Sequence, residues 1–165
     1  MNIQERAARV RLVVFDVDGV FTDGRLYYGP GGEELKVFHV HDGQGVKRLL
    51  KSGVAVAVIS GRDSAAVARR MQDLGIAHVF QGDEDKLPIF ERLLKKLSLG
   101  PEEVACVGDD LPDLPLLGTA GFAIAVANAL PAVRAKAHFV TGATGGLGAV
   151  REVCDLILAA RERDA

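Results

Sequence analysis

Apolar residues in this chain follow two alternating patterns. Short continuous runs rich in Val, Ile and Ala occupy Leu12–Phe15, Val54–Ile59, Val104–Val107 and Phe122–Val126. Runs of that length, bounded by polar residues or glycine, predict strands buried on both faces, as in a parallel sheet. Two shorter runs, Ala77–Phe80 and His138–Val140, add one or two more. Between them, apolar residues recur at three- and four-residue spacing, which predicts amphipathic helices. These cover Gln44–Ser52, Asp63–Leu74, Leu87–Leu97, Asp113–Leu117, Pro131–Ala135 and Ala149–Arg163, with Gly75 placed to stop the second. Strand and helix in alternation imply an α/β fold, a doubly wound parallel sheet in one Rossmann-like domain over 1–165.

Two segments depart from the alternation. Arg25–Tyr28 and Glu34–Val40 flank Gly29-Pro30-Gly31-Gly32, which predicts a β-hairpin. It would project just beyond the first strand, as an edge decoration or as a flap over about 25–40. The stretch TGATGGLGAV from Thr141 lacks the G-x-G-x-x-G spacing of a dinucleotide site and follows the last strand. Its composition describes a flexible hinge before a terminal helix.

Composition narrows the function. Apolar content of 48%, charged content of 25% and a net charge of -2 describe an ordinary globular chain. They give no electrostatic case for nucleic acid or an anionic membrane. The N-terminus lacks an apolar signal core, and no apolar stretch approaches the roughly 20 residues of a membrane span. Cys106 falls in a strand run and Cys154 in a helical one, which suggests two buried, reduced thiols and a cytoplasmic protein.

Ligands of open parallel sheets bind outside the carboxyl ends of the strands. The first strand ends in FDVDGVFTDG and delivers Asp16 and Asp18. The second delivers Ser60, Gly61 and Arg62, and the third delivers Asp109, Asp110 and Asp113. Lys86 starts the helix after the short strand that ends near Phe80. Singly, Ser60 or Asp113 is a helix cap and Lys86 a solvated charge. In conjunction, Asp16, Asp18 and Asp109 offer Mg²⁺ its hard oxygen ligands, with Asp16 as nucleophile and Asp18 as general acid and base. Lys86 and the Ser60 hydroxyl would stabilise charge on a transferring phosphoryl group.

This set resembles the haloacid dehalogenase superfamily of phosphatases. The matching pieces are D-x-D-G at Asp16–Gly19, Ser60, Lys86 and G-D-D-x-x-D at Gly108–Asp113. The resemblance implies catalysis by Asp16, Asp18, Ser60 and Lys86. It implies metal binding by the Asp16 and Asp109 carboxylates and the Asp18 backbone carbonyl. Asp110 and Asp113 are implied as supporting groups, unranked. Too few residues separate Asp18, Ser60 and Asp109 to hold a cap domain.

The whole chain further resembles the branch of 3-deoxy-D-manno-octulosonate 8-phosphate phosphatases. That likeness rests on D-V-D-G-V-F-T-D-G, G-G-E-E-L-K-x-F, D-G-x-G at Asp42–Gly45, I-S-G-R at Ile59–Arg62 and G-G-x-G-A-V-R-E at Gly145–Glu152. It implies a homotetramer whose hairpins form a central barrel and whose tails reach a neighbour's active site. It also implies an octulosonate phosphate substrate destined for lipopolysaccharide. Substrate contacts would come from His39, His41, Asp42, Gly43, Lys47, Gly61, Arg62 and Arg70. Arg62 and Arg70, eight residues apart, can share one face of the helix after the second strand. His39 and His41, expected to alternate along a strand end, and Leu147 depart from the usual pattern of that branch. The competing readings are a phosphatase of a nine-carbon sugar acid 9-phosphate, a phospho-receiver domain and a non-catalytic oligomerisation module.

Overall fold

The computed structural model describes residues 1–164. Its centre is a six-stranded parallel sheet built from β1 (Leu12–Phe15), β4 (Ala55–Ser60), β5 (His78–Gln81), β6 (Val104–Gly108), β7 (Phe122–Ala125) and β8 (Phe139–Val140). The spatial order is β5-β4-β1-β6-β7-β8. Every residue of β1, β6 and β7 is buried, which is why these strands are continuous apolar runs rather than alternating ones.

Helices cover both faces of the sheet. On one, α2 (Val40–Lys51) packs against α7 (Ala149–Asp164), α7 against α1 (Ile3–Ala8), and α3 (Ala65–Leu74) beside α2. On the other, α4 (Lys86–Leu97) and α5 (Leu114–Thr119) pack on β4, β6 and β7. A short α6 (Pro131–Arg134) links β7 to β8. Only the hairpin and α2 lie between β1 and β4, so the core domain carries no cap. Cys106 and Cys154 are both free and buried, as anticipated. No described helix is long and apolar enough to cross a membrane.

Four boundaries differ from the sequence reading, each for a local reason. Helix α1 was not anticipated; its signal is the capping box between Asn2 and Glu5. Helix α2 starts at Val40 instead of Gln44, because His39 caps it through a ring nitrogen that accepts from the His41 N–H at 3.1 Å. His39 and His41 therefore sit at a helix start and not along a strand. The hairpin ladder is confined to β2 (Tyr27–Tyr28) and β3 (Glu34–Leu35), with Tyr27 opposite Leu35. Helix α3 begins at Ala65 behind the Ser64 cap. That leaves Arg62 in the preceding loop, so Arg62 and Arg70 share no helix face.

Phe90 of α4 has no exposed surface and belongs to the main core. Phe90→Ala is expected to lower stability by about 3–5 kcal/mol, measured as a shift of the urea unfolding midpoint at unchanged slope.

Candidate active site

Strand register brings three chain ends to one level. Phe15 pairs with Val58 of β4 and with Val107 of β6. The chain thus leaves the sheet as Asp16, Ser60 and Asp109 side by side. From β1 the chain proceeds first to β4 and later to β6 on the other side, and this switch point is where open α/β sheets hold ligands.

The backbone after Asp16 closes into a single turn. The N–H groups of Val20, Phe21 and Thr22 all lie 2.9–3.2 Å from the Val17 carbonyl. Val17 and Phe21 are buried, and the Phe21 ring meets Phe15 edge-on at a centroid distance of 5.2 Å. The turn is thereby pinned to the core. Gly19 sits in it at φ +86°, where any Cβ would collide with the Asp109 carboxylate. Only glycine satisfies both conditions.

Lys86 is the hub of the acidic cluster. Its side chain is 4% exposed, and its ammonium lies 2.9 Å from Asp16 Oδ1 and 2.6 Å from Asp113 Oδ1. The other Asp113 oxygen accepts from the Asp109 and Asp110 N–H groups at 2.9 and 3.2 Å. Asp113 is thus a brace with both oxygens committed. Asp110 is exposed and caps the short turn over Leu111–Asp113. Carboxylate oxygens of Asp16, Asp109 and Asp113 all fall within 4.8 Å of one another.

Three carboxylates face one ammonium, and their protonation reflects it. Burial, with the Asp113 charge added, pushes Asp16 up to about 6 against the pull of Lys86. Burial and the charges of Asp16 and Asp113 push Asp109 up to about 8. Asp109 Oδ1 is buried without a hydrogen-bond partner. An orphaned buried oxygen amid hard oxygen donors fits a small divalent cation. With Asp113 committed, Asp16 and Asp109 are the side chains left to hold it.

The Asp18 carboxylate meets a different set of partners. Lys36 Nζ lies 2.5 Å from its Oδ1 and Arg62 Nε 3.5 Å from its Oδ2. Glu34 bridges both cations, at 2.7 Å from Lys36 and 2.5 Å from Arg62. Arg62 also reaches the Tyr28 hydroxyl at 3.3 Å. The hairpin therefore lies against the site as a flap.

One cleft takes in Asp16, Asp18, Ser60, Gly61, Arg62, Lys86 and Asp109, and adds Gly24, Glu84 and Pro112. The other expected contacts lie outside it, around the start of α2. His39 and His41 rings stand 4.8 Å apart. Asp42 is 1% exposed and accepts from the Arg151 N–H at 3.0 Å, so its carboxylate holds the first turn of α7. Arg70 lies over the Phe38 ring at 5.8 Å and against Gly43. Lys47 is exposed on α2.

The glycine-rich stretch is no loose hinge. Gly146 N–H bonds the Val20 carbonyl at 3.1 Å. Gly145 N–H bonds Asn128 Oδ1 at 2.7 Å, while Asn128 Nδ2 donates to the Gly19 carbonyl at 3.0 Å. A Cβ on Gly145 would collide with that same carbonyl. The segment packs on its own chain's turn after β1. Lys36 and Asn128 were not singled out from sequence; the only trace of Lys36 was its place in G-G-E-E-L-K-x-F.

A parallel sheet whose switch point carries this acidic cluster with a buried lysine defines a hydrolase of the haloacid dehalogenase type. The sequence profile of the haloacid dehalogenase-like hydrolases matches residues 74–152. The 3-deoxy-D-manno-octulosonate 8-phosphate phosphatase KdsC of Yersinia pestis is 49% identical over 98% of this chain and 87% of its own. The chain belongs to the haloacid dehalogenase-like hydrolases and is similar to the phosphatases of that branch. A solved structure of a probable YrbI family phosphatase from Pseudomonas syringae superposes at TM-score 0.95, with 55% identity over 96% of this chain and 90% of that one. The Moraxella catarrhalis 3-deoxy-D-manno-octulosonate 8-phosphate phosphatase, solved with magnesium, phosphate and KDO, also gives 0.95, at 46% identity over 98% and 92%.

Because the cation site is preformed, Mg²⁺ at about 100-fold excess over its Kd is expected to raise the Tm by roughly 5–10 °C. Asp109→Asn should abolish that rise while leaving the far-UV spectrum unchanged; scanning calorimetry with and without Mg²⁺ checks it.

Proposed function

We propose that this chain is a Mg²⁺-dependent phosphatase that hydrolyses 3-deoxy-D-manno-octulosonate 8-phosphate to the free sugar acid and inorganic phosphate. The observation that carries the reading is the convergence of Asp16, Asp109 and Lys86 at the tip of β1. The Moraxella relative, solved with the ion and both products, supports the choice of substrate. In this reading the Asp16 and Asp109 carboxylates and the Asp18 carbonyl hold the ion. When bound, Mg²⁺ neutralises and orients the phosphoryl oxygens.

An Asp16 oxygen attacks phosphorus, the ester P–O bond breaks, and Asp18 gives its proton to the departing sugar oxygen. Water then attacks the aspartyl-phosphate while Asp18 takes its proton, and the P–O bond to Asp16 breaks. Lys86, already paired with Asp16, and the Ser60 hydroxyl stabilise the equatorial oxygens throughout. Gly61 and Arg62 line the substrate side of the same cleft.

The working form is a homotetramer. The hairpin presents Leu26, Tyr27, Tyr28, Leu35 and Val37 to solvent, the last two at 65% and 60% exposure. An apolar, short-laddered flap of this kind calls for a covering surface. His39, His41, Lys47 and Arg70, with the turn shaped by Asp42 and Gly43, then act on a neighbouring subunit's substrate. Leu147, 65% exposed on the glycine-rich turn, serves the lid. The product is a cytoplasmic precursor of lipopolysaccharide.

Initial rates on a panel of sugar phosphates test the reading. Mg²⁺-dependent release from the octulosonate 8-phosphate is expected to exceed that from a nine-carbon sugar acid 9-phosphate by at least about tenfold. Equal turnover would reject the narrow assignment. Asp16→Asn should lose about 10³-fold or more in kcat, and light scattering on the eluted native protein should give the mass of four copies.

A further inference from the structure

Transfer of a phosphoryl group does not require the three charged side chains gathered around Asp18, which are Lys36, Glu34 and Arg62. Lys36 is the most constrained of them: its side chain is 1% exposed, and it pairs with Asp18 at 2.5 Å and Glu34 at 2.7 Å. Burying an ammonium is unfavourable unless it is paired, and these two carboxylates supply the pairing. Arg62 also touches Asp18, but at 3.5 Å and 43% exposure. Solvent screens that contact far more.

Direction matters as much as strength. Asp16, Asp109 and Asp113 already crowd one side of the β1 tip. A freely rotating Asp18 could swing towards a cation held there and join its ligands. The Lys36 ammonium holds the carboxylate against the hairpin. Lys36 follows directly on β3 (Glu34–Leu35), whose ribbon with β2 has only two paired positions per strand. A ribbon that short has little stability of its own. Its ionic contacts to Asp18 and Arg62, with Phe38 packed against the core just beyond β3, fasten it to the domain.

We propose that Lys36 is a positioning residue for the reaction: reaching in from the hairpin, it aims the Asp18 carboxylate at the leaving oxygen, so the general acid is complete only when the flap is seated. Glu34 fixes Lys36 from behind and ties it to Arg62. The inference rests on the acid role of Asp18 in the proposed mechanism.

Kinetics with two substrates test it. A sugar phosphate expels an alkoxide that needs a proton, whereas p-nitrophenyl phosphate expels a stable phenolate that does not. The quantity kcat/KM ends at the departure of the leaving group, so it isolates this proton transfer. In the Mg²⁺-loaded enzyme, Lys36→Met is expected to lower kcat/KM for the sugar phosphate about 10²-fold. The loss on p-nitrophenyl phosphate should be at least about tenfold smaller. A parallel loss on both substrates, or none, overturns the proposal. Glu34→Gln, which leaves Lys36 in place with one partner, should show the same selectivity at smaller amplitude. It decides the matter if Lys36→Met shows no cooperative melting, and a parallel loss there overturns the proposal as well. Asp18→Asn separates the two levels. Selectivity in Asp18→Asn without selectivity in the lysine and glutamate variants refutes the role of Lys36 alone. Its absence from Asp18→Asn refutes the acid assignment itself.

Discussion

Repulsion among buried carboxylates is the constraint around which this molecule is arranged. Two unit charges about 4 Å apart oppose each other by about 4 kcal/mol at an effective dielectric constant near 20. Asp16, Asp109 and Asp113 form three such pairs, and only Lys86 offsets them among the described residues that contact the cluster. The scaffold supplies what the side chains do not. Asp16 and Asp109 leave adjacent, fully buried strands. Asp113 is held by a turn whose backbone N–H groups it also accepts. The unmet remainder shows as raised affinity of Asp16 and Asp109 for protons, and a divalent ion meets the same demand.

How much of this was legible in sequence follows from which interactions are local. The central strands β4, β1, β6 and β7 are buried on both faces, so they appear as apolar runs whose ends differ from the structure by one residue or so. The carboxylates at their tips followed directly, because parallel register aligns the ends of neighbouring strands. The start of helix α2 is hidden in sequence because Val40 and Gly43 carry poor helix propensity. Its start depends on a cap from the His39 ring and on Asp42 holding α7, both tertiary or side-chain facts. Lys36 was illegible for a related reason. A lysine beside a glycine-rich turn reads as solvated, and its burial exists only once Asp18 and Glu34 converge on it.

The supporting groups show the same divide. Sequence placed Asp110 and Asp113 three residues apart and could not rank them. The turn over Leu111–Asp113 points the Asp113 side chain inward to Lys86 and leaves Asp110 as a surface cap. The glycine-rich stretch reads as flexible by composition. Its glycines are required instead by close approach: Gly145 touches the turn after β1 where a methyl group would not fit. Asn128 bonds Gly19 and Gly145 at once, which links the tail to the glycine that makes room for the Asp109 carboxylate.

Two aspartates separated by one residue thus occupy different electrostatic environments. Asp16 lies in an excess of negative charge relieved by Lys86. Asp18 lies in a balanced set of two carboxylates and two cations contributed by the hairpin and the loop after β4. The first environment prepares a carboxylate to share a cation, and the second holds its neighbour clear of that cation. In the proposed mechanism such a division would let a nucleophile and a proton carrier coexist on one short segment, because each role is set by surroundings rather than by residue type. It also gives the hairpin a reason to persist in a domain without a cap: it supplies Lys36 and Glu34, two of the three charged side chains gathered around Asp18.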